Sequence, residues 1–314
     1  MIVILGDPRS HEVADVAAHL PAGRVLIVRP DWLDQGRTLT WSGTGLDLGS
    51  RTPAGDDVTA VYVRPTVSHD PRGLYCDYLI RPSGTTDPGY HHLVRTEAES
   101  TLVGALLGTA ARWVNHPGAE TIAEHKLRQL TVAREAGLRT PATLISDDPE
   151  RLAGFWHAHG GEVVTKAVSS LSRRHVKETI VTRRVTAGHL AVLERGTPGV
   201  VLFQELVPAA LDLRVTLVGP ETFSCAIHSQ EGDSPLDWRL DQSVPMTPHP
   251  LDPRTESALH QVRERLGLEY GAADLRLTPD GVPVFLEINP CPEFSFAEHR
   301  VGMPIARAVA ALLQ

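Results

Sequence analysis

The chain has 314 residues, 42% hydrophobic and 22% charged, with 38 acids against 30 bases and a net charge of −8. That length is enough for about two domains with real cores, and the acidic balance disfavours a general binder of nucleic acid or anionic membrane. Cys76, Cys225 and Cys291 are odd in number and lack a CxxC spacing, which argues against a disulfide framework or a cysteine zinc site and for a reducing compartment. The opening MIVILGDPRSHEVADV has no basic start or long apolar core, and no segment reaches the roughly 20 apolar residues of a membrane span, so the sequence reads as cytoplasmic.

In chain order, IVIL, a helical pattern from Glu12 to Leu20, RVLIV from Arg24 and VTAVYVRP ending at Pro65 predict an α/β layer with a parallel sheet. No GxGxxG follows MIVILGDP, so the first strand reads as a plain buried strand. Residues 66–90, rich in Pro, Gly and Asp, read as loop and turns, and a helix is expected from about Glu97 to Ala111. Pro117 closes this first region. Ile122, Leu127, Leu130 and Ala133 then recur at helical spacing over 119–136, with Gly137 as the C-terminal cap. Asp148 and Pro149 start another helix, ended by Gly160 and Gly161.

Next come a strand GEVVTKAV, a polar loop SSLSRRHVKE and a returning strand TIVTRRV. From about residue 200, VVLFQELV, LRVTLVG and FSCAIHSQ read as strands. An Asp- and Pro-rich loop (231–254), a helix from Arg254 to Leu266, the hairpin GAADLRL-TPDG-VPVFLEIN and a helix from Met303 to Leu313 complete the chain.

The hairpin carries the first chemistry. Strict alternation puts Val282, Val284, Leu286 and Ile288 on a core face and Phe285, Glu287 and Asn289 on the other. An even-numbered loop would bring Asp274 onto the face of Glu287; an odd one would separate them. Asp, Glu and Asn oxygens on one surface suit Mg²⁺, although the same pattern fits a solvated polar face of a half-buried sheet.

A phosphate binder would decide between these readings. Lys166 ends an apolar run, and Lys126 lies one helical turn from both Ile122 and Leu130; each is also compatible with a lysine whose stem snorkels to water. At Gln204-Glu205-Leu206-Val207 an apolar strand breaks before Pro208, exposing a carbonyl and an N–H able to match an adenine edge. In the next strand Asp212, Arg214 and Thr216 share a face, where Arg214 has the geometry to grip a carboxylate or phosphate, or simply to pair with Asp212.

The order of these pieces resembles the ATP-grasp fold. More narrowly, AVYVRP, the segment 113–149, VVTKAV, FQELVPAALDLRVTLVG and ADLRLTPDGVPVFLEINP resemble the ATP-grasp ribosomal-peptide maturases, the microviridin-type or graspetide synthetases. The resemblance implies an N-terminal pre-ATP-grasp α/β domain (1–115), a central ATP-grasp subdomain (116–199) and a C-terminal subdomain with the metal site (200–314). It implies ATP and Mg²⁺. Lys126 and Lys166 would contact phosphates, and the Glu205, Leu206 and Val207 stretch with Asp212 would bind the nucleotide. Asp274, Glu287 and Asn289 would hold two Mg²⁺, and Arg214 would be the catalytic residue beside the transferring phosphoryl group. The implied partner is a precursor peptide, leader plus core, and the implied assembly a homodimer.

Two segments depart from the family pattern: Ser169, Ser170 and Ser172 stand where relatives carry glycines, and CPEFSFAEH follows the ExNP. The run SRRHVKETIVTRR reads as a basic strip for an acidic peptide or as a solvated face. By the resemblance, a peptide Asp or Glu carboxylate would be activated as an acyl phosphate and captured by a hydroxyl or amine of the same peptide. An intermolecular ligase and a non-catalytic nucleotide-binding module are the alternative readings.

Overall fold

The computed structural model describes residues 1–29, 32–33, 35–43, 45–49, 58–64, 87–168, 181–197 and 199–314. Ser169, Ser170, Ser172 and residues 172–180 of the basic strip lie outside them, as does 66–86 of the expected turn segment. Two compact units divide the chain: residues 1–117, 293–298 and 303–314, and residues 118–292 and 299–302.

In the first unit the apolar run after Met1 becomes β1 (Ile2–Gly6), buried throughout. Helix α1 (His11–Ala18) and β2 (Val25–Val28) follow, then a short hairpin of β3 (Thr40–Ser42) and β4 (Gly45–Asp47), for which no strand was expected. With β5 (Ala60–Arg64) and β6 (Arg112–Val114), a strand the sequence reading did not include, β1 and β2 form a sheet in the order β2-β1-β5-β6 whose parallel pairing is the expected one. Helix α2 (Pro88–Leu107) begins nine residues before its expected start at Glu97. Asp87 is its N-cap, accepting the Gly89 N–H at 2.9 Å, with Pro88 in the first turn. Residues 87–90, the end of the segment expected as loop and turns, are therefore a helix start.

In the second unit the expected helix over 119–136 is two. After α3 (Pro117–Ala123) the chain breaks at Glu124 and His125, and α4 (Lys126–Glu135) begins. The Gln129 side chain donates to the Ala123 carbonyl, satisfying the end of α3 and so stabilising the break. Ile122 and Leu127, expected on the apolar face, are more than half exposed, whereas Leu130 and Ala133 are buried. The break rotates the face.

Strand β7 (Thr143–Ser146), helix α5 (Pro149–Ala158), β8 (Val163–Thr165), β9 (Arg183–Arg184), helix α6 (Ala187–Leu193) and β10 (Val201–Glu205) build an antiparallel sheet ordered β7-β10-β8-β9. Its core is Leu152, Val163, Val185, Leu190 and Phe203. A second antiparallel sheet, ordered β13-β12-β11-β14-β15, consists of β11 (Leu211–Val218), β12 (Glu221–Ile227), β13 (Met246–Pro248), β14 (Tyr270–Leu277) and β15 (Pro283–Asn289). Helix α7 (Pro253–Arg265) lies between β13 and β14 in sequence. One face of this sheet carries Leu213, Val215, Leu217, Ala273, Leu275, Phe285 and Ile288 into a core with α4 and α7.

The single expected C-terminal helix is preceded by another, α8 (Ser295–Val301), with Gly302 at positive φ separating it from α9 (Ile305–Leu312). Helix α9 packs on α1 in the first unit. Among the described residues no helix is long and apolar enough to cross a membrane.

Candidate active site

The site is assembled on the polar face of the five-stranded sheet. Arg214 stands opposite Asp274 across β11 and β14, and Asp274 opposite Glu287 across β14 and β15; Asn289 lies opposite Ala272. Directly opposed residues share a face, so the four converge.

They do so despite the hairpin loop rather than because of it. Leu277 pairs with Pro283, which makes the loop five residues, an odd number that would set Asp274 against Leu286. A bulge inserts one residue of β15 and restores the pairing of Asp274 with Glu287. Strict alternation accordingly fails across 284–286: Val284 stands opposite Arg276 and Phe285 opposite Leu275, which reverses their expected faces and buries Phe285 in the core, while Leu286 lines the site. The outer edge of β15 records the same shift. Phe285 donates its N–H to the Arg139 carbonyl at 2.8 Å, and Ile288, three residues on instead of two, exchanges hydrogen bonds with the Gln129 amide at 2.8 and 3.0 Å.

Basic groups surround the carboxylates. Lys126, at the first position of α4 and buried, forms an ion pair with Glu287 Oε2. Burial alone would raise the Glu287 carboxyl, but Lys126 and Lys166, with Arg239, hold it well below the usual range. Lys166, just past β8, is pulled down to about 8 by burial, an effect Glu287 opposes and Lys126 reinforces. Arg214 donates through Nη1 to both oxygens of Asp274, each at 2.9 Å, and Asn289 Nδ2 donates to Asp274 Oδ2 at 3.1 Å.

One cavity joins this cluster to the strand end at Glu205–Val207. Its walls include Lys126, Lys166, Glu205, Leu206, Val207, Asp212, Asp274 and Glu287. At Glu205 the N–H donates to the Ala142 carbonyl, yet the Ala142 N–H goes to Glu205 Oε2 at 3.1 Å and not to the Glu205 main-chain oxygen, its ordinary acceptor in an antiparallel pair. The carboxylate thus takes over a ladder bond from the Glu205 carbonyl. The Leu206 N–H is engaged by the Glu162 carbonyl.

Asp212 occupies a different position from the one its sequence neighbours suggest. It is buried, raised by desolvation, and pairs at 3.0 Å with Arg276, not with Arg214. The same guanidinium donates to the carbonyls of Val207, Pro235 and Leu236 at 3.2, 2.7 and 3.3 Å. Arg276 therefore ties the strand end at Val207 to the long loop after β12. Sequence reading missed Arg276, Gln129 and Arg239, the last lying in a 3-10 turn (Trp238–Leu240) of the loop between β12 and β13. Only the apolar surroundings of Gln129 and Arg276 hinted that each needs a buried partner.

No protein-family model matches the chain, and no curated protein does so significantly. Solved structures do. The macrocyclase MdnC from Microcystis aeruginosa MRC, bound with precursor peptide MdnA, is 28% identical and superposes with a TM-score of 0.82 over 100% of this chain and 99% of that one. The Chryseobacterium gregarium RiPP-associated ATP-grasp ligase, in complex with ADP and a leader and core peptide, matches at 21% identity and 0.82 over 99% and 96%. The chain has the ATP-grasp fold. The macrocyclase MdnB from Microcystis aeruginosa MRC is also similar, at 25% identity and 0.72 over 99% and 98%.

The ATP-grasp fold implies a divalent cation, and the donor chemistry fits one. Two carboxylates and an amide meet at one point of the sheet, and both carboxylates already balance positive charge, Asp274 with Arg214 and Glu287 with Lys126. Among the described residues no group of three His, Cys, Asp or Glu has metal-holding geometry, and the amide of Asn289 is the third oxygen donor of this set.

Proposed function

We propose that the chain is an ATP-dependent ligase that activates Asp or Glu side chains of a ribosomally made precursor peptide, leader plus core, and closes ester or amide macrocycles within it. The observation that carries this is the convergence of Asp274, Glu287 and Asn289 with Lys126 and Lys166 on one cavity, whose other end holds the Glu205–Val207 strap. It stands on a chain similar to MdnC over its whole length.

In this reading Lys126 and Lys166 hold the ATP phosphates, while the Glu205 carbonyl and Val207 N–H hold adenine. Asp274, Glu287 and Asn289 would hold magnesium, which supplies charge neutralisation at the phosphate oxygens when bound. A peptide carboxylate attacks the γ-phosphorus, the bond to the β–γ bridging oxygen breaks, and ADP leaves an acyl phosphate. A Ser or Thr hydroxyl or Lys amine of the same peptide then attacks the acyl carbon, gives up its proton and displaces phosphate. Arg214, catalytic in this reading, sits where negative charge develops; phosphoryl transfer needs such positioned charge more than covalent help. Asp212 acts through Arg276, holding the strap, rather than on the nucleotide itself. The resemblance adds a cytoplasmic homodimer and the division at 115 and 199.

The test is to incubate the protein with Mg-ATP and the peptide encoded by a short open reading frame beside its gene, rich in Thr or Ser and Glu or Asp. Release of ADP together with loss of one water mass per link supports the proposal. A gain of one residue mass would make it an intermolecular ligase, and nucleotide binding without ADP release a non-catalytic module.

A further inference from the structure

The loop between β12 and β13 brings one more cation, Arg239, to the site. Arg239 lines the same cavity as Lys166, Asp274 and Glu287. Its guanidinium is gripped along one edge: Nε and Nη2 donate to the two Asp237 oxygens at 2.6 and 2.5 Å, which leaves Nη1 pointing out of that pairing. Asp237 is itself only 6% exposed, and its Oδ2 also accepts the Thr182 N–H at 3.3 Å. The base of the loop is fastened by Arg276 through the carbonyls of Pro235 and Leu236. A loop staple alone would need neither a buried carboxylate nor a wall position.

Charge gives the second line of argument. The Asp237 hydrogen bond and charge hold the Arg239 guanidinium above its ordinary value, with Glu287 and Asp274 adding to the effect. Arg239 in turn helps to depress Lys166. It thus belongs to the electrostatic cluster of the two candidate metal carboxylates, although it comes from a different loop. A planar guanidinium anchored on one edge presents its other edge in a fixed direction, the geometry by which arginine recognises phosphate.

We propose that Arg239 is a further phosphate-binding residue, which takes the terminal phosphate of the nucleoside triphosphate, and that Asp237 is its positioning residue. The proposal rests on the ATP reading above and deepens it, making this loop the part of the site that distinguishes a triphosphate from a diphosphate.

Calorimetric titration of the full chain with the β,γ-imido analogue of ATP and, separately, with ADP, both with Mg²⁺, tests it. In Arg239→Met the imido analogue loses about 10- to 100-fold in affinity while ADP stays within about threefold. Asp237→Ala reproduces the selective loss, and Asp237→Glu recovers part of it; ADP affinity serves in each case as the control for a folded site. Equal losses for both nucleotides, or none for either, overturn the assignment of Arg239. If the wild-type protein binds neither nucleotide, the ATP reading fails first and this proposal with it.

Discussion

Asp274 and Glu287 stand directly opposite each other on β14 and β15, in a register made by one extra residue of the bulged strand. Glu287 meets Lys126 from α4, and Asp274 meets Arg214 from β11, so two further elements converge on the pair. Glu287→Gln keeps the shape and removes the charge. It should lower ADP release in the presence of peptide by about 100-fold or more, the scale seen when one preorganised electrostatic group is lost. Full turnover in this variant would refute the site. Chelating divalent cations should abolish ADP release from the wild-type protein and restore it on adding Mg²⁺ back.

Gln129 holds the bulged strand from outside. Its amide bonds both main-chain groups of Ile288 and the last carbonyl of α3, so it fixes Glu287 relative to Lys126 through the backbone. Gln129→Ala leaves these buried groups unsatisfied and should cost about 1–3 kcal/mol of stability. A larger effect on kcat than on KM for ATP is also expected. Urea unfolding and steady-state kinetics check the two parts.

Asp212 and Arg276 are both buried, which makes their pair asymmetric to mutation. Asp212→Ala strands a buried guanidinium and should destabilise by about 3–5 kcal/mol, whereas exchanging both residues for apolar ones of similar volume should cost much less. Chemical denaturation of the two variants decides this. If the single and double changes are equally damaging, the pair does not act as a unit.

Lys166 sets a pH dependence. Its ordinary value is 10.5 and its folded value about 8, so between those points the folded chain holds fewer protons than the unfolded one. This group's contribution to folding stability therefore rises as pH rises through that window. Nucleotide binding runs the other way. Phosphate needs the ammonium form, so affinity for the imido analogue should fall as pH climbs past 8, by up to about tenfold per pH unit. Lys166→Arg should bind with a flatter profile. A flat profile in the wild-type protein would show that Lys166 does not meet the phosphates.

Much of this was legible in residue order. The apolar runs that become β1, β5, β10, β11 and β14 are long and bounded by turn residues, and Asp148 with Pro149 starts α5 as capping chemistry requires. Lys166 ended one such run, and Glu287 and Asn289 ended another. These signals are local, because a strand's alternation or a helix cap depends only on neighbours a few residues away.

What the sequence could not decide was long-range. The residues from Leu277 to Pro283 imply nothing about a bulge at Leu286; that arises where Arg139 and Gln129, some 150 residues earlier, claim the strand's outer edge. Whether Asp212 pairs with Arg214 or with Arg276 is likewise a choice between neighbours on one strand and partners across the sheet, and burial settled it. Arg239 lay in a loop with no periodicity to read, and only the fold brought it to the cavity wall. Residue order thus named the chemical groups, and tertiary packing chose their register and partners, because hydrogen-bond and charge satisfaction in a buried site is decided by whatever element arrives from elsewhere in the chain.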